Sequence, residues 1–392
     1  MQSEINEMMS LNSSGNSKGD KKRSPVRLFF RRHLPYLFFR LLFKNKPISS
    51  SKPPVHVAFL RPGKLGDMIV ATPLFSLTRK YLKDCRITVI CSPLNQTILS
   101  DNPDIDCCKV INFHSLKQVL GGIKWIQKEK VDLLIDLTPG ISRTSAFMVQ
   151  MCRKKGIRAA GMLKDRFSEF YDIHPHNTAL LHIIDRNVLL LNSSLGSHFS
   201  GINRPEIFFS SRIISESDHF LNSVCLKDKT VIGLNLSAGR PERQWSFQNY
   251  EKLINLILKN QKCSVLLFST GNQRRWSNML CEKYISLLEV PEGGFLSVAA
   301  LIKACRILVT PDTSFVHASS ATGTPVTALY MAKDENFIRW KPYGVPFRTA
   351  ISATGKIDDI TAEMVYECID DLLKEISLHD REYVKGPEQG DS

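Results

Sequence analysis

The sequence predicts an α/β protein made of two Rossmann-like halves, each with a parallel, doubly wound sheet, facing one another across a cleft. Three observations carry this expectation. From residue 55 onward, short apolar runs alternate with amphipathic stretches of helix length, the pattern of strands joined by crossover helices. The alternation halts in a polar stretch at 193–205 and then restarts. The chain's 392 residues also exceed one compact core and suit two domains of ordinary size.

In the first half, 55–60, 86–91 and 131–137 read as buried strands, with a weaker strand near 109–113. Amphipathic stretches at 73–82 and 144–153 supply helices between them. In the second half the strand-like runs are 230–236, 264–269, 306–311 and 326–330. The helical candidates there are 250–259, 275–284, 296–304 and 313–322. The expected divisions are an N-terminal segment and linker at 1–54, a first domain at 55–205, a second at 206–378 and a polar tail at 379–392. Ligands in such sheets sit beyond the carboxyl ends of the strands.

Hydrophobic residues at 43% and charged residues at 23% fit a globular body. Net charge is +14, and residues 1–54 hold eleven basic residues against three acidic ones, a local +8. The rest of the chain is only mildly basic, which argues against a nucleic-acid enzyme with a cationic face. Ten scattered cysteines include no CxxC pair, and Cys107 and Cys108 are adjacent. That usage points to a reducing, cytosolic compartment, with neither a disulfide framework nor a structural zinc site.

Residues 1–20 are polar, and 21–44 interleave five Phe and five Leu with Lys and Arg. The longest stretch without Lys or Arg, His33 to Phe39, falls far short of the ~20 residues of a spanning helix. No cleavable signal pattern is present. The mixture suits a segment lying in the interface of an anionic leaflet. A solvated basic tail, or a helix docked on the body, is the alternative. Residues 49–54 read as a linker.

Three loops carry chemistry. Arg61-Pro62-Gly63-Lys64-Leu65-Gly66-Asp67 follows the first strand, and its glycines allow a tight turn and close approach to a substrate. It is neither GxGxxG nor a phosphate-binding GK[ST] loop. Asp67 could cap the next helix. Thr72-Pro73 offers that helix a better start, with Thr72 as N-cap, and so frees Asp67 to face the cleft. Asn235-Leu236-Ser237-Ala238-Gly239-Arg240-Pro241-Glu242-Arg243-Gln244-Trp245 opens the second half's first crossover. Its hydroxyl, glycine and arginines suit a phosphate or pyrophosphate, and Trp245 suits packing. In Thr310-Pro311-Asp312-Thr313-Ser314-Phe315-Val316-His317, the amides of Thr313 and Ser314 open a helix and form an anion site. Asp312 could be a plain cap and His317 a core histidine. Two anion-friendly loops facing a carboxylate from the other half favour a site.

These motifs resemble the family 9 glycosyltransferases, the heptosyltransferase family of lipopolysaccharide core assembly. The resemblance spans roughly 55–345 and rests on 61–73, 237–245 and 311–326 in that order. It implies the two-domain GT-B fold, with acceptor on the N-terminal half, nucleotide-sugar on the C-terminal half, and inverting transfer without a catalytic metal or cofactor. Asp67 is then the general base, with Arg61, Lys64 and Gly66 in the acceptor-side loop. Ser237 and Arg243 match donor-phosphate contacts, Asp312 lies near sugar hydroxyls, and Thr313 and Ser314 lie near phosphate. His317 completes the donor signature, and Gly293 falls near the base pocket. The implied donor is ADP-heptose, and the implied acceptor is a lipopolysaccharide core or related lipid-linked saccharide at the inner face of the cytoplasmic membrane. One departure stands out. Members often carry a ribose-holding acid after the strand ending at Ser269, whereas Thr270-Gly271-Asn272-Gln273-Arg274-Arg275 has none. That gap supports one further reading, an inactive GT-B binding or scaffolding protein; another is a sugar-nucleotide epimerase, which can share the fold. The epimerase would need several acid/base groups around the donor sugar, and no such cluster is visible.

Overall fold

Strands covered on both faces must be apolar along their whole length, and β1 (His56–Arg61) is buried at every position. The computed structural model describes residues 43, 46–140, 142–162, 165–175, 180–224, 229–260 and 262–385. Up to Lys44 the chain forms a separate unit, of which only Phe43 is described; the remainder is a second unit holding both halves. The basic, aromatic segment of 1–42 therefore lies outside the described residues.

After β1 come α1 (Leu65–Ile69), α2 (Pro73–Tyr81), β2 (Arg86–Cys91), α3 (Pro93–Leu99), β3 (Cys107–Val110) and α4 (Leu116–Lys128). Then follow β4 (Leu133–Asp136), α5 (Arg143–Arg153), β5 (Arg158–Gly161) and α6 (Ile183–Leu195). The sheet is parallel in the order β3-β2-β1-β4-β5, so the topological switch lies between β1 and β4. Ser92, Ser115 and Ser142 each cap the helix they precede by accepting an amide of its first turn. Phe59 meets Phe75 edge-on at 5.2 Å beneath α2.

The second half runs α7 (Ser211–Ser223), β6 (Thr230–Asn235), α8 (Phe247–Leu258), β7 (Cys263–Phe268), α9 (Arg274–Lys283) and β8 (Leu287–Glu289). It continues with α10 (Phe295–Lys303), β9 (Ile307–Pro311), α11 (Ser314–Thr322), β10 (Val326–Tyr330), α12 (Glu335–Trp340), β11 (Phe347–Ile351) and α13 (Ala362–Lys385). Its order is β11-β10-β9-β6-β7-β8, again all parallel, with the switch between β6 and β9. Trp245 is fully buried, its indole N–H donating to the Ile360 carbonyl at 2.8 Å. Residues 379–385, expected in a polar tail, continue α13.

The two halves are fastened at α6. His182 caps this helix, its Nδ1 accepting from the Ile184 amide while Nε2–H donates to the Lys341 carbonyl at 3.0 Å. Tyr343 stacks on His182 at 4.6 Å and donates its hydroxyl to Asp185.

Residues expected as a free linker are tethered. Asp172 accepts the Ile48 amide at 2.8 Å and the Ala159 amide at 2.8 Å, and pairs with the buried Arg153 at 2.5 and 3.0 Å. Arg158 donates to the Ser50 carbonyl at 3.3 Å. Asp172→Ala leaves the Arg153 charge buried without its counter-ion, so a loss of about 3–5 kcal/mol in unfolding free energy is expected. Denaturant titration checks it; a variant within about 1 kcal/mol of wild type would show that the pair is not structural.

Candidate active site

The loop after β1 is organised by Arg61. The strand extends one residue further than expected, so Arg61 ends β1 with its guanidinium fully buried, 0% exposed. Nε donates to the Asp67 carbonyl at 3.0 Å, Nη1 donates to the Leu137 carbonyl, and Nη2 lies 3.2 Å from Asp67 Oδ1. Burial lowers the Arg61 pKa, and the charges of Asp67 and Asp136 pull it back up. Arg61, expected in the acceptor-side loop, therefore ends the strand instead and orients Asp67 from below. Lys64 remains exposed on that loop.

Asp67 is 24% exposed, and its Oδ2 accepts the Lys64 amide at 3.1 Å. It therefore caps α1, which begins before the helix that was expected to start at Thr72. Thr72 occupies the N-cap position of α2 before Pro73, as expected, but it has helical dihedrals and donates its hydroxyl to the Ile69 carbonyl, so its side chain makes no cap. The backbone turns helical at Leu65 because the carboxylate at the third helical position can close on the Lys64 amide. Capping leaves Asp67 partly open to the cleft. Gly63 makes this turn possible: its φ is +143°, and an added Cβ would lie 2.7 Å from Asp67 Oδ2.

Gly66 is where the two halves meet. A Cβ there would stand 2.7 Å from His317 Cδ2 and 3.6 Å from Ser314 Cα. Only a missing side chain lets the Asp67 loop press onto the first turn of α11. Thr313 caps this helix, its hydroxyl accepting the Phe315 amide at 3.2 Å, which places Ser314 first in the helix. His317 is buried, and burial pushes its pKa down to about 4; the neighbouring His182 and Arg61 act in the same direction and Asp67 against them.

The second-half loops are tied together by Asn235, a residue that sequence reasoning quoted but did not single out. Buried at the end of β6, it donates to Thr310 Oγ1 at 2.9 Å and accepts the Ser237 amide at 3.0 Å. Ser237 Oγ accepts the Thr270 amide at 2.9 Å. Arg243 Nη1 lies 2.7 Å from Asp312 Oδ2 and donates to the Asp312 carbonyl at 2.9 Å. Burial raises the Asp312 pKa while the Arg243 charge lowers it. Arg240 pairs only loosely with Glu242, at 3.7 Å in solvent.

Gly293 lines a cavity of about 440 Å³ at the ends of β7 and β8. Phe268, Val290, Val298 and Phe315 form its apolar walls, and Phe315 belongs to the same helical turn as Ser314. Among the described residues, no group of His, Cys, Asp and Glu is placed to hold a metal. The arrangement brings the Asp67 loop of the first half onto the first turn of α11, a helix start of the kind that suits an anion, with the Arg243 guanidinium paired to Asp312 beside it.

Residues 122–369 match glycosyltransferase family 9 (heptosyltransferase), more than half of the chain. Lipopolysaccharide heptosyltransferase 3 of Escherichia coli (strain K12) is 24% identical over 297 residues, covering 71% of this chain and 82% of that protein. A family 9 glycosyl transferase from Veillonella parvula superposes with a TM-score of 0.71 at 18% identity, over 82% of this chain and 97% of that one. Escherichia coli heptosyltransferase WaaC with ADP gives 0.64 at 16% identity, over 81% and 98%. At these identities the structural likeness establishes the fold, which is GT-B.

His182 and His317 are both held neutral, with pKa values near 4 against an ordinary 6.5. Between those values the unfolded chain binds protons that the folded chain refuses, so stability falls as pH drops from about 6.5 towards 4. Each imidazole contributes on the order of 1–3 kcal/mol to that fall. Denaturant midpoints measured from pH 7 to 4.5 should show it. His182→Asn, which keeps a capping acceptor, should flatten the curve; an unchanged slope in that variant would refute the assignment.

Proposed function

The chain belongs to glycosyltransferase family 9 (heptosyltransferase), and from that premise we propose that it transfers heptose from ADP-heptose to a lipopolysaccharide core or related lipid-linked acceptor, with inversion and with Asp67 as general base. The observation that carries this reading is the Gly66–His317 contact, which brings the Asp67 loop to the start of α11. Asp67 takes the proton of the acceptor hydroxyl as its oxygen attacks the anomeric carbon. The bond from that carbon to the diphosphate breaks on the opposite face, and the nucleoside diphosphate leaves with the electron pair. Its charge is met by the first amides of α11, by Ser237 and by Arg243, which exchanges Asp312 for phosphate. Asp312, released, accepts hydroxyls of the transferred sugar. The reading assigns no metal to the step. The names of two relatives, a lipopolysaccharide heptosyltransferase and a heptosyltransferase with ADP, support the donor and acceptor classes.

Incubation with ADP-heptose and core-truncated lipopolysaccharide should release ADP. Asp67→Asn should cut turnover by roughly 10²–10⁴ while leaving ADP affinity intact. The amide still caps α1, but Arg61 loses its counter-charge, so this variant should also lose about 1–3 kcal/mol of stability. Near wild-type turnover at saturating acceptor would return Asp67 to capping alone.

A charge-assisted phosphate contact contributes about 1.5–3 kcal/mol, so Arg243→Ala should weaken ADP binding at least tenfold and Arg240→Ala much less. Equal ADP affinity of the Arg243 variant and wild type in calorimetry would refute the placement.

We also assign the 1–42 segment to an anionic membrane surface at the cytoplasmic face, on its interleaved cations and aromatics. Among the described residues, no helix is long and apolar enough to cross a membrane. Removing 1–45 keeps the Ile48 tether and should leave a folded enzyme that no longer co-sediments with anionic vesicles. Co-sedimentation insensitive to the truncation would sink this assignment.

A further inference from the structure

We infer that Glu292, oriented by Arg274, recognises the ribose diol of the donor nucleotide from the loop between β8 and α10. This rests on the donor reading above. If the diphosphate occupies the first turn of α11, the nucleoside must extend into the adjoining cavity. Phe315 joins the two, since it lines the cavity from the same helical turn as Ser314. Thr270 joins them from the other side, with its amide held by Ser237. The apolar walls suit a flat base. The ribose lies between base and diphosphate, so its diol meets the polar part of the lining, which is Ser269, Thr270, Arg274 and Glu292.

Arg274 Nε stands 3.2 Å from Glu292 and 3.4 Å from Glu289. Glu289, 21% exposed, also accepts the Ser269 hydroxyl at 3.2 Å. Its Oε1 is already engaged by Ser269 and Arg274, and Glu289 itself does not line the cavity. Glu292 lines the cavity, is 78% exposed, and is steered by Arg274. An ionised carboxylate has two acceptor oxygens, and a cis-diol presents two adjacent O–H donors, so one Glu can take both. Residues 270–275 supply no carboxylate for this task. Glu292 is thus the specificity residue, while Glu289 acts through Arg274 as a positioning residue.

The test measures affinities of the full chain for ADP and 2′-deoxy-ADP by calorimetry, in wild type, Glu292→Gln and Glu289→Gln. Wild type should prefer ADP by about five- to tenfold, the effect of one charge-assisted hydrogen bond near solvent. Glu292→Gln should bring the ratio close to one by weakening ADP more than 2′-deoxy-ADP, which keeps only the 3′-hydroxyl for the carboxylate. Glu289→Gln should reduce the ratio partially. ADP binding with an unaltered ratio in Glu292→Gln overturns this inference alone. A wild-type chain that binds neither nucleotide overturns the donor reading, and this inference with it.

Discussion

A guanidinium that ends a parallel strand inside the protein cannot stay charged there without partners, because desolvating an isolated cation costs several kcal/mol. Arg61 meets that demand with the Asp67 carboxylate, the Asp67 carbonyl and the Leu137 carbonyl. Those three contacts join the end of β1 to the loop that follows it and to the chain just after β4. They fix the one feature the proposed chemistry needs, a carboxylate pointed out of the sheet at its topological switch. Asp67 is therefore counter-ion, helix cap and proposed base together. A group with that many partners is held in one geometry, which is what positioned proton transfer requires.

In the proposed reading, the second half prepares its site by substitution. Arg243 and Asp312 neutralise one another in a pair that is roughly one-quarter exposed. Such a pair holds little net energy, because solvent screens it and both side chains are ordered to form it. Exchanging the carboxylate for a phosphate is correspondingly cheap. The amides at the start of α11 need no such exchange, since the helix leaves them directed at the cleft.

The architecture was legible because parallel strands covered on both faces leave unbroken apolar runs, and because ligand loops fall at their carboxyl ends. The strands of 86–91 and 326–330 match the structure residue for residue. β5 was missed because Arg-Ala-Ala-Gly carries too little apolar bulk, and β11 because it is a half-exposed edge strand whose apolar run is broken by Arg348 and Thr349. Within the site, residue types were readable and orientations were not. Arg61 looked like a loop cation because its sequence neighbours are Pro62 and Gly63; only its full burial and its contacts with Asp67 and the Leu137 carbonyl show that it points inward. Thr72 looked like a cap because Pro73 follows it, and α2 does start there, but a carboxylate three residues after Lys64 starts a separate helix, α1, before it. Glu292 lies twenty residues before the α11 loop, and no local pattern links the two; β8 and β9 bring them to one end of the sheet.

The remaining constraint is how closely the halves approach. Alongside a shared apolar cluster, two contacts bear on it, Gly66 on His317 and the stacked His182–Tyr343 pair at the foot of α6. Both place a histidine where a proton would be costly. His182 uses Nδ1 to accept an amide, so protonation would break its cap as well as charge a buried ring. His317 shares its surroundings with the Arg61 cation and lies against the Trp340 ring, at 5.7 Å. A charged imidazole there would also weaken the pull of Arg61 on Asp67, since one carboxylate would serve two cations. Keeping His317 neutral thus preserves the single ion pair on which the geometry of Asp67 depends, and the absent side chain at Gly66 allows burial deep enough to keep it so.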